Sequence, residues 1–207
     1  MRKYGWSQTA LAALLGLAVL AGPAAAQRPL IFVGGLNMSN VEGDDADDLD
    51  SRTGFFVGVG TGFSLSPTVG ISPFVVYTER GFESADGEGS AKITYIDVPV
   101  FLGVAVPLGE TLSLSLSAGP RVSFNLGCDL EEGDLSVDCA DVSELGEPES
   151  IDYGVIGDVG LGFVLSPTLN LGIGAGYDLG LADVFDQFDA KHRSPFFYAA
   201  LSFIMGG

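Results

Sequence analysis

The chain has 207 residues, of which 47% are hydrophobic and 30 are glycine, and 27 acidic side chains stand against 9 basic ones. A formal net charge of −18 excludes a nucleic-acid binder, which needs clustered Lys and Arg to neutralise phosphates. A chain this acidic and this apolar makes a poor soluble globule unless its charge is kept apart from its greasy surface.

At the start, Arg2 and Lys3 precede an apolar stretch from Ala10 to Leu20 and a small-residue site, Ala24-Ala25-Ala26. This is the pattern of a secretory signal peptide over residues 1–26. Residues 27–207 then form one domain at this length. No later apolar run reaches the roughly 18 residues that suggest a membrane helix. Apolar residues instead alternate with small or polar ones. In FVGVGTGFSL, Val57, Val59, Thr61 and Phe63 oppose Gly58, Gly60, Gly62 and Ser64. In TLSLSLSAGPR, Leu112, Leu114, Leu116 and Ala118 oppose Ser113, Ser115, Ser117, Gly119 and Arg121. YGVIGDVGLGFVL and LNLGIGAGYDLG repeat the pattern. Period two marks a strand with one greasy and one polar face.

Eight such strands are expected, at 29–40, 54–65, 69–83, 92–107, 111–126, 152–165, 169–182 and 195–205. Each has the roughly 9–11 residues of a tilted membrane strand. Their polar faces carry Gly, Ser and isolated charges, which suit the crowded interior of a small barrel better than a watery surface. The greasy faces then point out to lipid, and closure spares the sheet an unpaired edge in hydrocarbon. The fold class that follows is all-β, an eight-stranded antiparallel up-and-down transmembrane β-barrel. Tight turns at 66–68, 108–110 and 166–168 alternate with long polar loops near 41–53, 84–91, 127–151 and 183–194. Six acids fall in 41–53 and ten in 128–152, so the charge gathers at one end. In outer-membrane barrels the short turns and both termini are periplasmic and the long loops extracellular.

GFSLSPT at 62–68 returns as GFVLSPT at 162–168. Pro67 and Pro167 fix φ at the second position of two periplasmic turns, each after a Ser that can bond the backbone. Phe63 and Phe163 sit on the lipid-facing parity just before them, where an interfacial aromatic girdle is expected. The repeat reads as a hairpin solution used twice.

Asp97, Arg121, Asp158 and Asp178 fall on inward parities, and buried charges must pair, so a lumen charge network is expected among them. The parity of 69–83 is open, and with it whether Glu79 or Arg80 turns inward. Cys128 and Cys139, the two cysteines of an exported chain, are expected to form a disulfide in the longest outer loop. VEGDDADDLD invites a calcium site but lacks the Gly and Glu positions of an EF-hand loop. His192-Arg193-Ser194, near Asp186 and Asp189, is the one enzyme-like cluster. It reads as loop, and Pro195 follows the Ser directly. The sequence offers no catalytic residue, no metal site and no cofactor.

GVGTGFSLSPTVGISPFVVYTERGF, ITYIDVPVFLGVAVPL, LSAGPRVSF and IDYGVIGDVGLGF together resemble the outer-membrane β-barrel domain often labelled "porin family protein", which includes PorT-like proteins. The resemblance runs from about Phe32 to Phe203; its most specific pieces are Tyr77 with Arg80-Gly81, Tyr95-Ile96-Asp97-Val98-Pro99, and Gly119-Pro120. It implies a bacterial outer-membrane barrel and brings no catalytic residues with it. Where barrel chains usually finish on an aromatic residue, Phe203 here is followed by Ile-Met-Gly-Gly. The expected role is structural or interactive, through acidic extracellular loops on a monomer too narrow to be a general diffusion porin. Its partners would be outer-membrane lipids and an unidentified extracellular or envelope protein. A small ion-conducting channel, a lipid A-modifying hydrolase and a soluble lipocalin-like carrier are the other readings; the last would want a large apolar interior.

Overall fold

The computed structural model describes residues 28–43, 49–85, 89–132, 135–139, 149–185 and 188–204. The expected signal peptide and most of the acidic run at 44–48 lie outside the described residues. Among the described residues, ten strands form one antiparallel sheet: β1 (Pro29–Glu42), β2 (Leu49–Thr61), β3 (Phe63–Ser64), β4 (Val69–Ser84), β5 (Ser90–Pro107), β6 (Leu112–Glu132), β7 (Leu135–Asp138), β8 (Ile151–Ser166), β9 (Leu169–Phe185) and β10 (Phe188–Ile204). β2 and β3 are one stave interrupted at Gly62, and β7 is a short hairpin arm on β6. The sheet therefore has eight staves. β1 pairs with β10 from Pro29↔Ile204 to Glu42↔Lys191, which closes the barrel. No described helix is long enough to cross a membrane; the strands make the crossing.

Alternation sets which way each side chain points. Phe32, Leu36, Val57, Leu102, Leu116, Val155, Phe197 and Leu201 stand on the outer surface, with Leu116 66% exposed. Burying such a belt in hydrocarbon is what its area demands. On β4 the unsettled parity resolves: Phe74, Val76, Thr78 and Arg80 face the lumen, leaving Ile71, Val75 and Tyr77 on the lipid side. Gly81 follows with φ +150°, and a Cβ there would strike the Ala91 carbonyl. A residue other than Gly would be strained at this site.

The tight turns carry the bonds expected of their serines. Ser66 Oγ accepts from the Thr68 and Val69 amides at 3.3 and 3.0 Å, and Ser166 Oγ from the Thr168 amide at 3.3 Å. Pro67 and Pro167 are exposed in these turns. The opposite end differs from expectation. β1 runs on to Glu42, β2 begins at Leu49, β6 continues to Glu132 and β10 begins at Phe188. The loop expected at 183–194 is thus mostly strand. Past the lipid belt an outward residue no longer has to be apolar, so the alternation fades although backbone pairing continues.

The lumen also differs from a lining of Gly and Ser alone. Phe56, Phe74, Phe101, Phe196 and Tyr198 all point inward. Each needs space that a neighbouring stave must give up. A Cβ on Gly174 would lie 2.6 Å from the Tyr198 ring, and one on Gly35 2.7 Å from Phe56. Gly60 and Gly176 stand in the same relation to Phe74 and Phe196. The glycine-rich faces of some staves are seats for rings carried by others.

Candidate functional site

The lumen is layered along the barrel axis. Its charged layer is centred on Arg121, whose side chain is fully buried. Arg121 Nε donates to Asp178 Oδ1 at 2.9 Å, and Nη1 lies 2.9 Å from Asp152 Oδ2 as an ion pair. Arg80 Nη2 donates to Asp178 Oδ2 at 2.9 Å and also to Asp97. Ser123 links the two halves, accepting from Arg121 and donating to Asp97. Two guanidinium groups thus face three carboxylates, held by β4, β5, β6, β8 and β9. Charges so deeply buried persist only when paired and hydrogen-bonded.

Of the expected network, the structure brings Asp97, Arg121 and Asp178 together. Asp158 is not part of it, which corrects the sequence reading. It lies on the inward parity of β8, nearer the short turns, and bonds to Ser117 and to Tyr198 Oη, the latter at 2.8 Å. Parity showed that Asp158 faces the lumen but could not give its height, which the tilt of the staves sets. Arg80 and Asp152 belong to the network instead. Asp152 is the first residue of the strand expected at 152–165, at the edge of the acidic run, and Arg80 lies in the segment of open parity.

Beside this layer Tyr95 Oη meets His192 Nε2 at 3.2 Å, with the rings edge to face. His192 and Ser194 are each 1% exposed and point into the barrel from β10. The reading of this stretch as loop is therefore corrected: both are interior residues. The side chains of Asp186 and Asp189 lie outside the described residues.

Farther from the short turns an apolar plug fills the lumen. Val41, Phe82, Ala91, Ile93, Tyr95, Cys128, Cys139 and Val184 pack together, with Leu49 and Leu130 against them. The Cys128–Cys139 disulfide is present, with its Cα atoms 5.4 Å apart. It is buried within the plug rather than displayed on an outer loop. A bulge between the Tyr95↔Asn125 and Thr94↔Gly127 pairings reverses the parity of β6 and turns Cys128 inward. Around this rim, Lys92 contacts Glu131 at 3.1 Å and Asp129 at 3.3 Å, and the Glu131 hydrogen bond is the main cause of its raised pKa. Pairs this exposed contribute little to stability.

Toward the short turns the lumen opens into a chamber of about 460 Å³. Its walls include Phe56, Phe74, Phe101, Phe196 and Tyr198; its roof is the charged layer, and its mouth lies at Ser66, Pro67 and Thr68. Phe56 meets Phe196, and Phe74 meets Phe101, edge to face at 5.9 Å. Phe63 stands outside this mouth, half-buried, with the Arg28 guanidinium 4.6 Å from its ring centroid. Phe163 is half-buried on the same side, paired with Leu112 and Leu171. No cluster of metal-ligating side chains occurs among the described residues.

The outer membrane protein beta-barrel domain family matches residues 29–186, and the chain belongs to this family. Among solved structures, Neisserial surface protein A shares 12% identity at a TM-score of 0.56, over 85% of this chain and 97% of that one. Ail, the attachment invasion locus protein of Yersinia pestis, shares 18% identity at a TM-score of 0.45, over 86% and 100% of the two chains. The outer membrane protein OprG from Pseudomonas aeruginosa shares 13% identity at a TM-score of 0.48, over 87% and 97%. No curated protein sequence matches the chain. Family and fold together make this an outer-membrane β-barrel protein.

Proposed function

We propose that this outer-membrane barrel is a sealed, non-conducting platform that acts at its surface, through structural or interactive contacts of its acidic loops. The observation that carries the reading is the stopper across the lumen. The Arg80–Arg121 ion-pair layer and the disulfide-bearing plug of Val41, Phe82, Ile93 and Val184 lie in series. An eight-stranded barrel has just enough room for side chains, and here they fill the outer half. The proposed orientation puts the short turns and both termini in the periplasm and the acidic loops outside. The segregation of acids to the long-loop end supports it. The partners proposed are outer-membrane lipids and a protein met outside the cell or in the envelope, with the barrel itself monomeric.

A lipid-modifying hydrolase fits less well. Nucleophilic catalysis needs a Ser, a His and an orienting carboxylate within reach of the substrate. His192 and Ser194 point into the barrel interior, away from the lipid-facing surface, and His192 Nε2 meets the Tyr95 hydroxyl. The inner chamber is the observation that favours the second reading, a small channel. Planar-bilayer recording of the refolded, oxidised protein decides between them. The platform predicts no stepwise conductance; a stable open pore would overturn it.

A further inference from the structure

The inner chamber has the attributes of a ligand site rather than of a packing fault. Its volume of about 460 Å³ falls in the roughly 300–1,000 Å³ range of small-molecule pockets. Five aromatic rings wall it: Phe56 with Phe196 and Phe74 with Phe101 form two edge-to-face pairs, and Phe56, Phe74, Phe196 and Tyr198 rest on glycine seats. Aromatic faces carry negative quadrupole charge and attract cations, most strongly where water is excluded. Asp158 lines the chamber beside the Tyr198 ring; its partners among the described residues are the hydroxyls of Ser117 and Tyr198, and no described Lys or Arg is paired with it. A carboxylate in an apolar chamber gains most from a positive charge brought to it. The roof adds no excess positive charge, because its two guanidiniums already face three carboxylates. Asn37 Oδ1 and Ser194 Oγ also line the chamber, both deeply buried and without a hydrogen-bond partner among the described residues. Both leave acceptor capacity open to a second polar group on a ligand.

We propose that this chamber binds a small organic cation with an apolar body, an aryl- or alkylammonium ion, admitted through the mouth at Ser66–Thr68. The ammonium group sits against Asp158 and the ring faces, and the hydrocarbon body fills the space between Phe74, Phe101 and Phe196. Anions are disfavoured by Asp158. With the outer half of the lumen plugged, the ligand enters and leaves by the same mouth, so the site stores or senses its ligand instead of passing it on. The binding itself does not depend on whether the plug conducts, so the two ideas fail separately.

The test is calorimetric titration of the refolded full-length chain in maltoside micelles, since a choline-headed detergent would compete. Three probes of one shape are compared: phenethylammonium, 2-phenylethanol and phenylacetate. The cation is expected to bind about tenfold or more tighter than the alcohol, as a desolvated cation–aromatic contact allows, and the acid not to bind. Asp158→Asn keeps a side chain able to bond Ser117 and Tyr198. It should abolish the preference for the cation while leaving the alcohol unaffected, and Phe101→Leu should weaken the cation more than the alcohol. Equal affinity of cation and alcohol for the unaltered protein would overturn the proposal, leaving a merely greasy hole. So would an Asp158→Asn protein that still prefers the cation.

Discussion

The same eight staves build two unlike interiors. On the long-loop side of Arg121 the lumen is solid: an ion-pair layer, then aliphatic side chains closed over a disulfide. On the short-turn side it holds a chamber of about 460 Å³ walled by aromatic rings. The barrel sheet is continuous through both, so backbone pairing cannot account for the difference. What differs is how inward side chains are matched across the lumen. In the solid half, long charged residues from several staves converge and satisfy one another. In the chamber, rings lie back on glycines and leave the axis open. The two halves should therefore answer differently to substitution.

Removing the centre of the solid half has the largest expected effect. Arg121→Ala leaves Asp178 and Asp152 buried beside Arg80 alone, and breaking a buried pair in this way costs about 3–5 kcal/mol. Asp158→Asn, in the chamber, removes no ion pair. It should cost under about 1 kcal/mol, the scale of one neutral hydrogen bond. Urea unfolding in micelles measures both. Equal losses would show that the chamber is as tightly coupled as the plug, and the contrast would fail.

The disulfide comes next. Cys128 and Cys139 are 11 positions apart, and closing a loop of that length stabilises by about 3 kcal/mol in the chain-entropy picture. The Cys128→Ser/Cys139→Ser double variant should lose about that much, and it also places two hydroxyls in an apolar cluster. The loss should be confined to the plug. Binding of phenethylammonium in the chamber is expected to persist in the folded variant. Its disappearance would mean that plug and chamber form one cooperative unit.

How far these halves could be read in advance follows from where lipid lies. Within the belt every outward residue must be apolar, so Leu112, Leu114 and Leu116 against Ser113, Ser115 and Ser117 announce both the strand and its inward face. That rule yielded the stave count, the turns at Pro67 and Pro167, and the inward placement of Asp97, Arg121 and Asp178. Past the belt the rule lapses. His192 and Ser194 read as loop because nothing around them has to alternate, yet backbone pairing carries them on as strand; Asp152, at the first position of its expected strand, blends into the acidic run before it. β4 hid Arg80 for another reason: it has apolar residues on both faces, since Phe74 and Val76 line the lumen while Val75 and Tyr77 meet lipid. Its glycine partners gave the one available signal. Gly58 and Gly60 on β2 leave room for Val76 and the Phe74 ring, which implies that the even-numbered face of β4 is the inner one. The β6 bulge that buries Cys128 left no pattern in the letters.

The smallest effect gives the finest comparison, because it asks the same change of both halves. Gly154 and Gly172 both face the lumen, on neighbouring staves β8 and β9. A Cβ on Gly154 would run into the Leu179 carbonyl and lie 2.8 Å from Arg121 Nη2, in the charged layer. One on Gly172, at the chamber, would meet nothing nearer than Ala200 Cβ at 3.7 Å, an ordinary contact. Gly154→Ala is an overpacking change and should cost about 1–3 kcal/mol, with the Arg121 pairs disturbed. Gly172→Ala fits without strain and restricts the unfolded chain, so it should be neutral or stabilise by up to about 1 kcal/mol. The difference between the two unfolding free energies measures how much tighter the solid half is packed. If Gly172→Ala proves as costly as Gly154→Ala, the chamber wall has no slack, and its openness is not available to a ligand.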